Sequence, residues 1–246
     1  MEKTKINKFI VNYYKNDNVI GKTISRGQLW GIETKQLFQR YYRPNSNILD
    51  IGGFIGTVSL VLSEIIDEGY KIHVFEPQYF ECLNKNIIDN NLENVIIPYK
   101  YGLSHINGFI PNNNINFNEP GNYGGRDLTT LYDKTLEEYT IDETENCIEL
   151  KRLDDFKFDN IGLIKLDVEG FELLVLKGGI ETLKNNNFPT IFIEIWDTNC
   201  WRNKDNTRSF YKQNKKDIIA FLIDLKYKMV WNRNDDYIFK HPENVF

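Results

Sequence analysis

Cysteine and histidine are scarce in this sequence of 246 residues. The three cysteines, Cys82, Cys147 and Cys200, are odd in number and show no C-x-x-C spacing. The sequence therefore predicts neither a disulfide framework nor a zinc site. The three histidines form no recognisable Ser/His/Asp or Cys/His arrangement, which speaks against chemistry based on such a nucleophile.

The sequence also lacks a long apolar run and an excess of positive charge. The longest clean apolar run, residues 218–223, is far short of the ~20 residues that a membrane span requires, and the N-terminus shows no apolar segment of signal-peptide length. Thirty Lys and Arg against 35 Asp and Glu give a net charge of -5, which matches a nucleic-acid backbone poorly. We expect a cytoplasmic protein without a membrane span, and we disfavour nucleic acid as its partner.

A glycine turn follows the apolar stretch ILDIGGFIG at residues 48–56. Its glycines are Gly52, Gly53 and Gly56, and Asp50 lies near the end of the predicted strand. A dinucleotide fingerprint that began at Gly52 would need its second glycine at position 54, but that position is Phe54. The turn therefore predicts a nucleoside-like ligand without a diphosphate.

An acidic residue, Glu76, closes the next predicted strand, 24 residues after Gly52. A carboxylate at that point can accept hydrogen bonds from both hydroxyls of a ribose. Asp50 is placed to meet the ammonium of a methionine moiety, directly or through water. Together these features indicate S-adenosylmethionine (SAM) as cofactor; the alternative is a plain strand–helix turn in which Glu76 is a surface helix cap.

Alternating strand and helix patterns predict an α/β fold. Strands are expected at residues 48–51, 71–76, 95–99, 161–170 and 190–195, with Pro98 marking a sheet edge because proline cannot donate to a ladder. A helix at residues 215–225 precedes two short strands at 227–231 and 237–240. This order predicts the seven-stranded, mostly parallel sheet with a C-terminal antiparallel hairpin of the class I SAM-dependent methyltransferases, a Rossmann-like fold.

We assign residues 1–246 to a single domain. Residues 1–45 form a front piece with a hairpin around residues 18–27 and a helix at 32–41, and residues 46–246 form the catalytic core. A loop-rich insertion at residues 106–147 interrupts the core. A polar segment of that length is either disordered or functional, and we expect it to border the acceptor.

Charged residues gather in the stretch IKLDVEGFE. Lys165, Asp167 and Glu169 alternate, so they share one face if the strand continues that far. Such groups at the end of an apolar strand are costly to bury unless they are paired or functional. We interpret Asp167, Glu169 and Lys165 as the catalytic residues, with Asp167 as the base, Glu169 as the second choice for the base and Lys165 as the partner of a carboxylate. Glu172 is expected to cap the next helix.

The following strand ends in a similar way. Glu194 and Trp196 are expected at the substrate-facing rim, with Trp201 beyond them; the alternative for the tryptophans is packing beneath the terminal hairpin. No metal ligand is assigned, but the carboxylates of Asp167, Glu169 and Glu194 leave Mg²⁺ open as a further cofactor.

Several of these stretches together resemble the FkbM-type SAM-dependent methyltransferases. They are ILDIGGFIGTVSL, VFEPQ, LNKNIIDNN, RLDDF, LIKLDVEGFELLVLKGG and PTIFIE, in this order. The resemblance implies a class I methyltransferase fold and methyl transfer from SAM, usually to a hydroxyl of a sugar or natural product. Two positions depart from the family: Phe54 stands where Asn is usual, and Arg152 where Thr is frequent.

The sequence therefore predicts a SAM-dependent O-methyltransferase with a small-molecule or carbohydrate acceptor, which includes glycoconjugates. Two alternatives stay open at this point. An RNA 2'-O-methyltransferase would also use lysine and carboxylate side chains, and a catalytically inactive SAM-binding interaction protein would keep the cofactor site alone.

Overall fold

The computed structural model describes residues 1–112, 115–125, 147–196 and 208–244. Its strands are β1 (Glu2–Ile6), β2 (Phe9–Tyr13), β3 (Asn47–Ile51), β4 (Ile72–Phe75), β5 (Ile96–Tyr99), β6 (Gly102–Leu103), β7 (Gly108–Pro111), β8 (Cys147–Lys151), β9 (Ile161–Leu166), β10 (Thr190–Glu194), β11 (Lys228–Arg233) and β12 (Asp236–Lys240). Its α-helices are α1 (Ile20–Ser25), α2 (Lys35–Tyr41), α3 (Thr57–Leu62), α4 (Phe80–Asp89), α5 (Glu172–Gly178), α6 (Ile180–Asn185) and α7 (Arg208–Asp224).

A seven-stranded sheet forms the centre of the fold, in the order β11-β12-β10-β9-β3-β4-β5. The five strands from β10 to β5 are parallel, while β12 runs antiparallel to β10 and pairs with β11 as a hairpin. The predicted fold class is therefore confirmed. Pro98 lies in β5 at the edge of the sheet. An edge strand tolerates proline because the missing N–H does not interrupt hydrogen bonding between inner strands.

Apolar side chains cover both faces of the central strands. In β3, Ile48 packs into a core shared with α3 and α4, whereas Leu49 and Ile51 point to the opposite core with α5 and α7. All three are at most 1% exposed. A strand that is buried on both faces does not alternate between apolar and polar residues. The sequence of β3 is therefore a nearly continuous apolar run.

The chain order creates a switch point beside β3. After β3 the chain adds β4 and β5 on one side, and it later returns to add β9 and β10 on the other. Helices therefore leave β3 and β9 toward opposite faces, and a crevice opens at the carboxyl ends of these strands.

The front piece differs from the prediction in its local structure. Residues 20–25 form α1 and not a hairpin, because the Asp17 carboxylate accepts hydrogen bonds from the amides of Val19 and Gly21, both at 3.0 Å. The hairpin is instead β1–β2, and it is fixed to α4 by Asn86. The side chain of Asn86 is buried. Its Nδ2 donates a hydrogen bond to the backbone carbonyl oxygen of Asn12, and its Oδ1 accepts one from the backbone N–H of Asn12.

Part of the predicted loop-rich insertion is regular structure. β6, β8 and β7 form a second, three-stranded sheet in that order, and β7 pairs antiparallel with β8 from Gly108↔Leu150 to Pro111↔Cys147. The expectation of irregular chain at residues 106–147 is therefore wrong for residues 108–111, which form β7, whereas residues 113–114 and 126–146 lie outside the described residues. Across the described chain, none of the helices combines the length and apolar character needed to cross a membrane.

Candidate active site

A cavity lies at the carboxyl ends of β3, β4 and β9. The glycine turn after β3 forms one wall, the segments after β4 and β5 form a second, and the turn after β9 forms a third. The sequence-predicted site residues in its lining are Gly52, Gly53, Glu76, Lys165, Asp167 and Glu169. The other predicted site residues, Asp50, Gly56, Glu194 and Trp196, are not among the described residues that line it.

The glycine turn approaches the end of β9 too closely for a side chain. Gly52 has a φ of +83°, and a Cβ atom there would collide with the carbonyl oxygen of Asp167. The amides of Gly52 and Gly53 both donate to the carbonyl oxygen of Phe75 at 3.0 Å. Gly56, also at positive φ, leads into α3. The turn is thus held between two strands while its backbone lines the cavity.

Glu76 lies in this cavity and is 6% exposed, so its placement as a surface helix cap is wrong. Its Oε2 accepts the Phe54 amide at 2.9 Å, and its Oε1 accepts the amides of Gln78 and Tyr79 at 2.7 and 3.0 Å. Burial raises the pKa of Glu76 to about 7 although these hydrogen bonds act to lower it. Three of its roughly four acceptor positions are occupied, so contacts to both hydroxyls of a ribose would require one backbone bond to lengthen.

Lys165 lies at the centre of the charged residues. Its Nζ donates to the carbonyl oxygen of Gly52 at 2.7 Å and lies 3.4 Å from Asp167 Oδ2 and 3.6 Å from Asp50 Oδ1. Burial acts to lower the pKa of Lys165, but the charges of Asp167 and Asp50 outweigh it and raise that pKa. The lysine therefore stays protonated as the partner of carboxylates, as the sequence analysis expected.

Asp50 does not line the cavity. Its side chain is fully buried, and Oδ2 accepts the Ser59 hydroxyl at 2.5 Å. Its other oxygen faces Lys165. A direct contact between Asp50 and the ammonium of a ligand is therefore not available in this structure, because Asp50 lies behind Lys165 and balances its charge.

Asp167 and Glu169 reach the cavity from a turn and not from a strand. β9 ends at Leu166, and Glu169 has a φ of +59°, so the expectation of one continuous strand face is wrong. Both side chains nevertheless line the cavity because the turn folds back over the strand end. The shared location was predictable, but the backbone that produces it was not.

Glu172 holds this turn in place. Its Oε1 accepts the amides of Val168 and Gly170 at 3.0 and 3.1 Å. The side chain is buried, and burial raises the pKa of Glu172 to about 7. Glu172 therefore caps the turn that carries Asp167 and Glu169, through the amides of that turn.

Glu194 completes a group of three carboxylates. One oxygen each from Asp167, Glu169 and Glu194 lies within 4.8 Å of the others. Burial raises the pKa of Glu194 well above its ordinary value, and the charges of Asp167 and Glu169 raise it further. The indole N–H of Trp196 donates to Glu194 Oε2, and its ring packs on Tyr211 of α7. Trp201 lies outside the described residues.

Sequence reasoning missed Asp236. It pairs with Glu194 across the antiparallel strands β10 and β12, and burial followed by the charge of Asp167 raises its pKa to about 6. The hairpin was predicted, but its register with β10 was not, and that register brings Asp236 to the carboxylates. His73, in contrast, is packed inside the sheet: its Nδ1 lies 3.0 Å from the Tyr99 hydroxyl, and burial lowers its pKa to about 4.

The residues present fit a SAM-like ligand. The Gly52 backbone would meet its amino-acid end without the second glycine that a diphosphate needs, and Glu76 offers an acceptor for a ribose. The lining also includes the apolar side chains of Leu103, Ile148 and Phe171, which suit the flat face of a base.

Comparison with known proteins supports the same class. The fold is similar to the methyltransferase FkbM of Methylobacillus flagellatus KT at 15% identity and a TM-score of 0.50, with 83% of this chain and 50% of that chain covered. This chain therefore spans half the length of that protein. A protein of Methanococcus maripaludis assigned as an S-adenosyl-L-methionine-dependent methyltransferase gives 15% identity and a TM-score of 0.50, with 94% and 95% covered. At such identities the likeness shows the class I methyltransferase fold.

The family itself is shown by sequence. No curated protein matches the chain, but the family model of the methyltransferase FkbM domain matches residues 50–229. This match covers well over half of the 246 residues, including the glycine turn, Glu76 and the carboxylates at the ends of β9 and β10. The chain belongs to the FkbM family of SAM-dependent methyltransferases.

Proposed function

We propose that the protein is an O-methyltransferase that modifies a hydroxyl of a small-molecule or carbohydrate acceptor. One observation supports this proposal above the others: a single cavity is lined by Glu76 on one side and by Asp167 and Glu169 on another, with Lys165 between them. Methyl transfer needs a site that binds the cofactor and the acceptor side by side. Here Glu76 would bind the cofactor, and Asp167 and Glu169 would face the acceptor in the same cavity.

Bound in this cavity, SAM supplies an electrophilic methyl group. An alcohol is a poor nucleophile until its proton is leaving, and Asp167 takes that proton. Positioned general bases typically accelerate such steps by about 10²–10⁴-fold. A carboxylate is useful here because it acts on the acceptor oxygen, where the interaction strengthens as the reaction proceeds.

Among the three carboxylates, Asp167 suits the role of base best. Burial and like charges raise the pKa of Glu194, which favours its protonated form and makes it less suited to take a proton from the acceptor. Asp167 lines the cavity, and the ammonium of Lys165 lies only 3.4 Å from its carboxylate. Glu169 lines the same cavity and remains the second candidate.

The surroundings of Asp167 favour a neutral, hydroxyl-bearing acceptor. Glu169, Glu194 and Asp236 lie near it, and carboxyl groups pair well with hydroxyls but repel phosphates. Trp30 and Tyr123 add aromatic surface to the cavity, and such rings suit the apolar face of a sugar. The RNA alternative is disfavoured because a phosphodiester backbone would approach this acidic group.

We propose that transfer does not need a metal. The carboxylates of Asp167, Glu169 and Glu194 are close enough for one cation, and such a set suits Mg²⁺. However, the ammonium of Lys165 already places a positive charge 3.4 Å from Asp167.

Labelled SAM tests these proposals against a panel of glycans, small alcohols and RNA, with and without a chelator. Transfer to a glycan or alcohol that disappears in Asp167→Asn supports the proposed function. RNA labelling would establish the RNA alternative, and loss of transfer with chelator would assign Mg²⁺. Binding of S-adenosylhomocysteine (SAH) without transfer to any member would favour the inactive binding protein.

A further inference from the structure

Helix α7 separates its charges onto two flanks. Lys212, Lys216, Ile219 and Ile223 follow one another at intervals of four, three and four residues, so they share one side of the helix. The acidic residues Asp217 and Asp224 lie on the other flank. On this side of the helix the lysines therefore lie beside the half-buried Ile219 and the exposed Ile223 and not beside acidic residues.

Two shallow grooves extend this lysine flank to the sheet edge. The first is lined by residues of α7 that include Lys212, Lys216 and Ile219, and the second continues past Ile223 to Lys228 and Met229 of β11. Both grooves share Ile219 and Ile223, so they form one continuous surface. We name the six residues Lys212, Lys216, Ile219, Ile223, Lys228 and Met229 the basic-apolar face.

The charge of this surface is of one sign. Lys215 and Lys226 also line the grooves, whereas no aspartate or glutamate is among the described residues that line them. The chain as a whole carries a net charge of -5. Five lysines without an acidic neighbour in the lining are therefore a local feature that the composition does not predict.

Apolar side chains lie exposed between these lysines. Ile223 is 58% exposed and Met229 is 45% exposed, and Val230 next to it is 44% exposed. These are aliphatic groups at the outer strand of the sheet. Lysines around exposed aliphatic side chains are the pattern of surfaces that insert shallowly into an anionic lipid interface.

We propose that the basic-apolar face docks on the surface of an anionic phospholipid bilayer. The lysines would meet the lipid phosphates, and Ile223 and Met229 would enter the interfacial region. None of these residues lines the active-site cavity, so the proposal does not rest on the proposed function. It concerns where the protein resides while it works.

Two other occupants fit the face less well. Single-stranded RNA is held by aromatic stacking platforms as well as by basic residues, and the exposed groups between these lysines are aliphatic. A second copy of the chain would bring the same lysines opposite each other across a two-fold axis. The edge strand β11 also carries a register shift between Met229 and Trp231, and such a bulge discourages edge-to-edge pairing.

Vesicle co-sedimentation of the full chain tests the proposal. We expect binding to phosphatidylcholine vesicles that contain about one third phosphatidylglycerol, and little binding to phosphatidylcholine alone. Raising the salt concentration should weaken binding because exposed charges are screened. The triple variant Lys212→Glu, Lys216→Glu, Lys228→Glu should reduce partitioning about tenfold or more.

Two further variants separate charge from insertion. The triple variant Lys3→Glu, Lys5→Glu, Lys22→Glu changes net charge equally at exposed positions of the front piece, and it should partition as the wild type does. Ile223→Ser with Met229→Ser keeps every charge and should also lower partitioning. SAH affinity by calorimetry verifies that each variant is folded.

Several outcomes would overturn the proposal. These are absence of wild-type binding to anionic vesicles, an equal loss in the front-piece variant, or no effect of the serine substitutions. Salt-sensitive binding to a single-stranded RNA oligonucleotide without vesicle binding would reassign the face to RNA. A concentration-dependent dimer that the lysine variant abolishes would reassign it to a second copy.

Discussion

The ammonium group of Lys165 donates a hydrogen bond to the carbonyl oxygen of Gly52 at 2.7 Å. Gly52 follows β3 and Lys165 lies near the end of β9, so this bond joins the turn that would carry the cofactor to the strand that precedes Asp167. The same ammonium lies 3.4 Å from Asp167. One side chain thus fixes both sides of the cavity, and its removal should affect stability and chemistry together.

Replacing Lys165 with Met should lower the free energy of unfolding by about 3–5 kcal/mol, because the buried carboxylate of Asp50 loses the cation that balances it. Urea unfolding measures the change. Adding Asp50→Asn removes the stranded charge and should restore part of the stability, whereas methyl transfer should stay low because Asp167 still lacks its ammonium. A Lys165→Met protein as stable as the wild type would contradict this account.

Gly52→Ala should be far more harmful than an equivalent change elsewhere. Gly69 offers a matched control, since its φ of +90° is close to the +83° of Gly52, but no atom lies within 4 Å of a Cβ built there. Gly69→Ala carries only the cost of positive φ, about 1–2 kcal/mol. Gly52→Ala adds a collision with the Asp167 carbonyl and should also weaken SAH binding. Equal effects of both substitutions in thermal unfolding and calorimetry would show that the close approach is unimportant.

Glu76→Ala should weaken SAM and SAH alike, because both ligands carry the ribose. Loss of a hydrogen bond to a charged group costs about 1.5–3 kcal/mol, equivalent to roughly 10- to 150-fold in affinity. Calorimetric titration with SAH measures it, with the exposed Glu81→Ala as control. Unchanged affinity in Glu76→Ala would remove Glu76 from the cofactor site.

Glu172→Gln should change how stability depends on pH. Because burial raises the folded-state pKa of Glu172 from 4.5 to about 7, its contribution to stability is fully present below about pH 4.5 and is lost as pH rises through about 7. Glutamine keeps the acceptor for Val168 and Gly170 without ionising. The free energy of unfolding of the variant, relative to that of the wild type, should therefore increase as pH rises, by up to about 3 kcal/mol.

Unfolding measured on either side of this pH range checks the prediction, with Glu181→Gln on the surface of α6 as control. The quantity to compare is the difference between variant and wild type. A difference that stays constant from acid to neutral pH would mean that Glu172 does not titrate as described.

The sheet was predictable because its signal is local. The apolar strands, the glycine turn and the terminal hairpin can each be recognised from a few consecutive residues. Pro98 by itself indicated that β5 is an edge strand. The rest depended on contacts between distant residues. α1 forms through the Asp17 carboxylate, and the small sheet pairs Gly108 with Leu150, 42 positions apart.

The candidate site follows the same division. That Glu76 and Asp167 would reach one cavity follows from the rule that parallel strands end at one edge. The hydrogen bonds that three backbone amides donate to Glu76 depend on the detailed path of two turns. Asp236 depends on the register of a hairpin. Neither of these leaves a pattern in the sequence.

Asp167→Asn should separate chemistry from cofactor binding. Asparagine keeps the shape of the side chain but cannot take the acceptor's proton, so turnover should fall by about 10²–10⁴-fold while SAH affinity changes little. Glu169→Gln is the matched control on the same turn and should reduce turnover less. The competing role for Asp167 is to neutralise Lys165, 3.4 Å away, in which case Asp167→Asn should lose stability, SAH affinity and turnover in step. Thermal unfolding, calorimetry and methyl-transfer kinetics on the same two variants distinguish these outcomes, and a larger loss of turnover in Glu169→Gln would assign the base to Glu169.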